Sequence, residues 1–205
     1  MRALILVDLQ YDFCPGGALA VPRGDETITI ANRLLPYFST VVATQDWHPP
    51  DHQSFASQHG GCKPGDTIEL DGLPQVLWPP HCVQGTRGAQ LHDDLQRDKI
   101  TEVFRKGTDR AVDSYSGFFD NAHRKSTGLA DWLRERWITR VYVMGLATDY
   151  CVKATALDAR DLGFDTWVIE DGCRTVDVGK GDGDRALAAM RAAGVTIVES
   201  GSIGS

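Results

Sequence analysis

The chain lacks any CxxC pair: its five cysteines, Cys14, Cys62, Cys82, Cys151 and Cys173, are odd in number and widely spread. That spacing excludes a structural zinc knuckle and a thioredoxin-type redox motif, and it favours free thiols in a reduced, cytoplasmic protein. Also missing is an apolar run long enough to span a bilayer. The opening Met1-Arg2-Ala3-Leu4-Ile5-Leu6-Val7 has the basic-then-apolar order of a secretory leader, but Asp8, Gln10 and Asp12 interrupt it too early. It reads instead as a buried first strand, and no membrane partner is expected. Positive charge is outnumbered as well, 21 Lys and Arg against 28 Asp and Glu. A formal net charge of -7 argues against nucleic acid or an anionic lipid surface as partner. No phosphate loop is present: Gly179-Lys180 has Arg174 where the first glycine of GxxxxGK[ST] belongs and Gly181 in place of the hydroxyl residue. Internal repeats and low-complexity segments are absent too.

What remains is an ordinary globular composition, 42% hydrophobic and 24% charged over 205 residues, enough for one domain with a sizeable core. β-branched and apolar runs predict strands at 3–7, 40–44, 101–104, 140–144, 165–169 and 195–198. Helical spacing predicts helices over 25–38, 126–137, 148–162 and 182–193. Strands alternating with helices imply right-handed crossovers. The expected fold is α/β: three layers, α/β/α, around a six-stranded parallel sheet. The stretch 46–98 shows little periodicity and holds six prolines (Pro49, Pro50, Pro64, Pro74, Pro79, Pro80). Its Trp47, His48, Phe55, Trp78, His81 and Cys82 argue against disorder, so a functional loop is expected.

Four of the strands end at residues fit for hydrolytic chemistry: Asp8, Asp46 with His48, Lys106, and the turn that leads to Cys151. In an open parallel sheet the carboxyl ends of the strands share one edge, where ligands bind. Cys151 is placed in the first turn of a helix capped by Thr148 or Asp149, where unpaired N–H groups and the helix dipole favour thiolate and can stabilise an oxyanion. Asp8 can take the thiol proton, and Lys106 can stabilise the anions that result. Alone, Asp8 and Lys106 suit a structural ion pair; with Cys151, a triad is the more economical reading. Asp46, His48 and His81 offer one carboxylate and two imidazoles to a divalent ion, with His52 as an extra ligand or a residue behind the ligands. His59, His92 and His123 read as surface residues.

Together these segments resemble the nicotinamidase/pyrazinamidase family of isochorismatase-like cysteine hydrolases. The matching stretches are VDLQYDFCPGGAL at 7–19, TQDWHPPDHQSFAS at 44–57, LWPPHCVQGTRGA at 77–89, FRKGTDRAVDSYSGFFDN at 104–121 and GLATDYCVKATALDA at 145–159. The resemblance implies a single isochorismatase-like domain over 1–205, with Asp8, Lys106 and Cys151 as triad and Asp46, His48 and His81 as metal ligands. It further implies that Phe13 and Trp78 flank the substrate ring, with Tyr115 and Tyr150 lining the pocket. The Leu146-Ala147 bond is expected to be cis, and the N–H groups of Ala147 and Cys151 to form the oxyanion hole. The implied reaction converts nicotinamide, and pyrazinamide with it, to the acid and ammonia through a cysteine thioester, in NAD salvage. The implied cofactor is one divalent ion (zinc, iron or manganese), and the implied partner is a small aromatic amide; self-association is left open. An N-carbamoyl amide hydrolase shares the Asp, Lys and Cys but lacks the metal ligands, and an isochorismatase lacks the nucleophilic cysteine. A non-catalytic metal-binding protein on the same fold would hold the ion without turning over an amide.

Overall fold

A computed structural model describes residues 1–204. The elements run β1 (Arg2–Val7), α1 (Glu26–Leu34), β2 (Val41–Asp46), β3 (Thr67–Leu70), β4 (Leu73–Val76), β5 (Glu102–Lys106), α2 (Leu129–Glu135), β6 (Arg140–Leu146), α3 (Lys153–Asp161), β7 (Asp165–Arg174), α4 (Asp182–Ala192) and β8 (Thr196–Val198). Six strands form one parallel sheet in the order β5-β2-β1-β6-β7-β8, flanked by the helices, which is the expected three-layer α/β/α arrangement. Ala3 to Val7 of β1 are wholly buried and β2 is buried along its length. Strands covered on both faces need continuous apolar runs, which is why these segments lack alternation.

The strand order fixes where a ligand can sit. From β1 the chain builds outward through β2 to β5; it then returns to the other side of β1 with β6 and builds the opposite way to β8. The order therefore reverses between β1 and β6, and a crevice opens outside the carboxyl ends of those two strands. Gly145 lets them approach: its φ is +130°, and a Cβ there would lie 2.1 Å from the Val7 carbonyl oxygen. Asp8 follows β1 directly with φ +51°, a left-handed conformation at the mouth of the crevice.

Some elements differ from expectation. The stretch 46–98 contains an antiparallel hairpin, β3–β4, whose turn is Asp71-Gly72 with φ of +52° and +79°. Such a turn suits a two-residue hairpin, although Pro74 within β4 weakens the strand signal. Strand β7 runs on to Arg174, beyond the apolar run that predicts it, and α2 starts later, at Leu129. Before α3 comes a widened helical turn, Thr148–Val152, with Ala147 at its N-cap; neither Thr148 nor Asp149 caps it. The Asp149 carboxylate instead accepts the N–H groups of Val176 (3.1 Å) and Asp177 (2.8 Å), tying down the loop that follows β7. No helix among the described residues is long and apolar enough to cross a membrane.

Candidate active site

Asp8, Lys106 and Cys151 meet in one buried cluster. Lys106, at the end of β5, places Nζ 2.9 Å from Asp8 Oδ2, 2.5 Å from Asp46 Oδ1, 2.9 Å from the Ser114 carbonyl and 3.4 Å from Cys151 Sγ. Thr44 donates its hydroxyl to Asp8 Oδ1 at 2.5 Å and accepts the Asp8 N–H at 3.2 Å. Two-residue periodicity puts Thr44 and Asp46 on the same side of β2, which is why both reach this cluster. Asp8 Oδ2 makes its ion-pair contact with Lys106, and Asp8 offers a carboxylate oxygen within 4.8 Å of Cys151 Sγ.

Burial decides the charge states. It raises the Asp8 carboxyl above the ordinary range, against the pull of Lys106. It likewise drives the Cys151 thiol well up, again against Lys106, with Asp8 and Asp46 adding to the rise. Burial also works against charge on Lys106 and Asp46, but there the ion pairs win: the ammonium is held well above its usual value and Asp46 well below. Burial thus favours the neutral thiol at Cys151 and opposes the thiolate that a helix terminus alone would favour.

The other carboxylate oxygen, Asp46 Oδ2, faces His48 Nε2 at 3.5 Å and His81 Nε2 at 3.8 Å. These three buried side chains form a group able to hold a metal ion. Backbone carbonyls aim both rings. His48 Nδ1–H donates to Gly107 O (2.9 Å) and His81 Nδ1–H to Pro79 O (2.8 Å), so each turns Nε2 inward. His48 Nε2 is buried and has no hydrogen-bond partner, the condition a cation would relieve. Burial and the neighbouring His48 bring His81 down to about 4, leaving its lone pair free. The two segments meet because His48 and Val83 form a parallel bridge, with the His48 N–H on Cys82 O. Gly107 packs against His48: a Cβ there would lie 2.3 Å from its Cε1.

His52 stands apart from that trio. Its ring centroid is 4.3 Å from that of His48, and it groups with His48 and Asp113 instead. His52 Nδ1 is held by Ser54, whose N–H donates to it at 3.2 Å and whose hydroxyl lies 2.7 Å away, and its buried Nε2, like that of His48, has no hydrogen-bond partner. Gln10 escaped the sequence reading. Its amide copies a strand edge, accepting the Asp46 N–H and donating to the Asp46 carbonyl, each at 2.8 Å.

The cavity beside Cys151 spans about 380 Å³, counting the solvent at its open mouth. Phe13, Trp78, Tyr115, Ala147 and Tyr150 line it with Asp46, His81 and Cys151; Leu19, Asp113 and Val176 are additional walls. Trp78 and Tyr115 both meet Tyr150 edge-on, with centroids 4.9 and 5.4 Å away, and Phe13 lies 5.6 Å from His81. The Leu146-Ala147 peptide is cis. All five cysteines are free thiols, and burial raises Cys14 to about 11 and Cys173 to about 12.

A thiol, a carboxylate and an ammonium packed together at the carboxyl edge of a parallel α/β sheet, with an aromatic-lined cavity beside them, define the class: an α/β thiol hydrolase. The family model described as the isochorismatase domain matches residues 2–202, and the chain belongs to that family. It is 56% identical over 200 residues to a nicotinamidase of Escherichia coli (strain K12), covering 96% of this chain and 93% of that one. Among solved structures, an Acinetobacter baumanii nicotinamidase pyrazinamidease superposes with a TM-score of 0.95 at 48% identity, covering 98% of this chain and 96% of the other. A pyrazinamidase of Pyrococcus horikoshii in complex with zinc superposes with a TM-score of 0.78 at 39% identity, covering 97% and 98%.

Proposed function

We propose that this protein is a nicotinamidase: it hydrolyses nicotinamide to nicotinate and ammonia, takes pyrazinamide as well, and serves pyridine-nucleotide salvage. The observation that carries the reading is the shared cavity. Cys151, Asp46 and His81 all line the same aromatic cavity, in a chain 56% identical to a nicotinamidase.

Cys151 Sγ attacks the carboxamide carbon while Asp8 accepts the thiol proton and hands it to the departing nitrogen, which leaves as ammonia. The acyl group stays on sulfur as a thioester. Water, deprotonated by Asp8, then adds to that thioester, and Cys151 regains its proton as the acid leaves. Burial raises Asp8 above an ordinary carboxylate, which makes it a better proton acceptor for this role. Lys106 Nζ, already 3.4 Å from sulfur, stabilises negative charge on it. The N–H groups of Ala147 and Cys151 stabilise the oxyanion. Asp46, His48 and His81 would hold a divalent ion (zinc, iron or manganese), which when bound would supply Lewis-acid chemistry for a ring nitrogen and so help orient the carboxamide.

Ammonia release from nicotinamide tests the reading. Activity should fall on chelation and return on metal add-back; a metal-loaded enzyme that leaves nicotinamide intact would overturn it. An N-carbamoyl amide hydrolase would need no metal, and a non-catalytic binding protein would hold one stoichiometrically without turnover.

A further inference from the structure

Hairpin β3–β4 lies outside the main sheet and most of its side chains are exposed or half-buried. Gln75 is the exception, with 4% of its surface exposed. A polar side chain at the one buried position of such a hairpin requires partners. Gln75 Nε2 has three acceptors: the Val76 carbonyl at 2.7 Å, Asp113 Oδ2 at 3.2 Å and the Tyr115 hydroxyl at 3.2 Å. A carbonyl and a carboxylate only accept, so the amide nitrogen must face them; the flipped amide would set oxygen against oxygen. The Tyr115 hydroxyl accepts a second bond, from Trp78 Nε1–H at 3.2 Å. Trp78, Tyr115 and Asp113 all line the cavity that holds Cys151.

We propose that Gln75 is a positioning residue for the aromatic amide: its carboxamide ties the Trp78–Tyr115 pair to Asp113, so that the hairpin sets the width of the ring slot. The inference deepens the nicotinamidase reading and rests on it. Without the amide donors, Tyr115 and Trp78 lose their common anchor and the ring is held less tightly. The Asp8–Lys106–Cys151 cluster stands on β1, β5 and the turn after β6, and its hydrogen bond to the 113–115 segment goes to the Ser114 backbone carbonyl (2.9 Å from Lys106 Nζ), not to a side chain that Gln75 ties. Substrate binding should therefore suffer more than chemistry.

Gln75→Met keeps the side chain's length and removes its donors. On metal-loaded enzyme with nicotinamide, KM should rise about tenfold with kcat changed by less than about threefold. In a Tyr115→Phe background, where the shared acceptor is gone, the same substitution should raise KM by less than about twofold, because the two act on one contact. Thermal unfolding of each variant accompanies the kinetics. If Gln75→Met does not fold, Gln75→Asn, which draws the amide back by one methylene, reads out through the same KM. An unchanged KM overturns the proposal, as do fully additive effects in the Tyr115→Phe background. A kcat loss at constant KM that follows the unfolded fraction overturns it too, since a mere hairpin anchor behaves that way. A wild-type enzyme that releases no ammonia from nicotinamide defeats the underlying reading; an active one with KM unmoved in Gln75→Met defeats only this step.

Discussion

Lys106 Nζ has three hydrogens and four neighbours, and the sulfur of Cys151, at 3.4 Å, is the most distant of them. In the resting thiol that contact is weak; it tightens once sulfur carries charge, so the ammonium favours the reacting state over the ground state. Cys151→Ala removes the nucleophile and should lower ammonia release by about a thousandfold or more while leaving nicotinate binding measurable by calorimetry. Turnover that survives the substitution would refute the thioester route. His52 makes a second test at this scale. With Nδ1 accepting the Ser54 N–H, it packs behind His48 without joining Asp46 and His81. His52→Ala should leave metal stoichiometry by elemental analysis unchanged, and a clear loss of bound metal would make it a ligand. Asp8, Lys106, Asp46 and Cys151 were legible because each stands just past an apolar run. Gln10, Thr44 and Asp113 were not. Their roles depend on which strand lies beside them, and no local pattern marks a glutamine that imitates a strand edge.

At the scale of elements, the turn Thr148–Val152 does two jobs. It presents Cys151 to the crevice, and through Asp149 it holds the loop bearing Val176 over the pocket. An N-cap was the local reading of Thr148-Asp149; tertiary hydrogen bonds took the carboxylate elsewhere. The same competition explains β7, whose last residues lack an apolar run yet pair with Gly145 and Leu146 of β6. That extension brings Arg174 to Glu26 of α1, Nη2 to Oε2 at 2.7 Å, and Arg23 adds a second ion pair to the same carboxylate. The hydrogen bonds from Arg23 and Arg174 bring Glu26 down from 4.5 to about 2. A carboxylate depressed on folding stabilises the native state above its unfolded value and loses that contribution as acid protonates it. The window is set by the shift: wild type should exceed Glu26→Gln in denaturant midpoint at neutral pH, and the gap should close between pH 4.5 and about 2. A gap independent of pH would mean that the α1–β7 tie is packing, not charge. The exposure of these groups keeps the expected difference small.

For the molecule as a whole, the position of the chemistry follows from one topological event, the reversal of strand order between β1 and β6. Alternation of strands and helices made that sheet readable, and with it the convergence of Asp8, Lys106 and Cys151. The hairpin and the winding path of 46–98 were less readable, because prolines and glycines interrupt periodicity there and the pairing partners are distant in sequence. Yet this region holds all three residues of the proposed metal trio. Asp46 ends β2, His48 follows it, and His81 returns only after the whole hairpin excursion. A cation joining them would close a loop of the chain as well as fill a site, so it should stabilise the fold by mass action. A metal present at a hundredfold over its dissociation constant contributes about 2.7 kcal/mol. For a chain of this size that corresponds to a rise of about 5–10 °C in Tm. Calorimetric melting of chelated enzyme against enzyme resupplied with zinc should show that rise, and His81→Ala should abolish it. If His81→Ala keeps the full increase, the ion is binding somewhere other than between the β2 terminus and the segment after the hairpin.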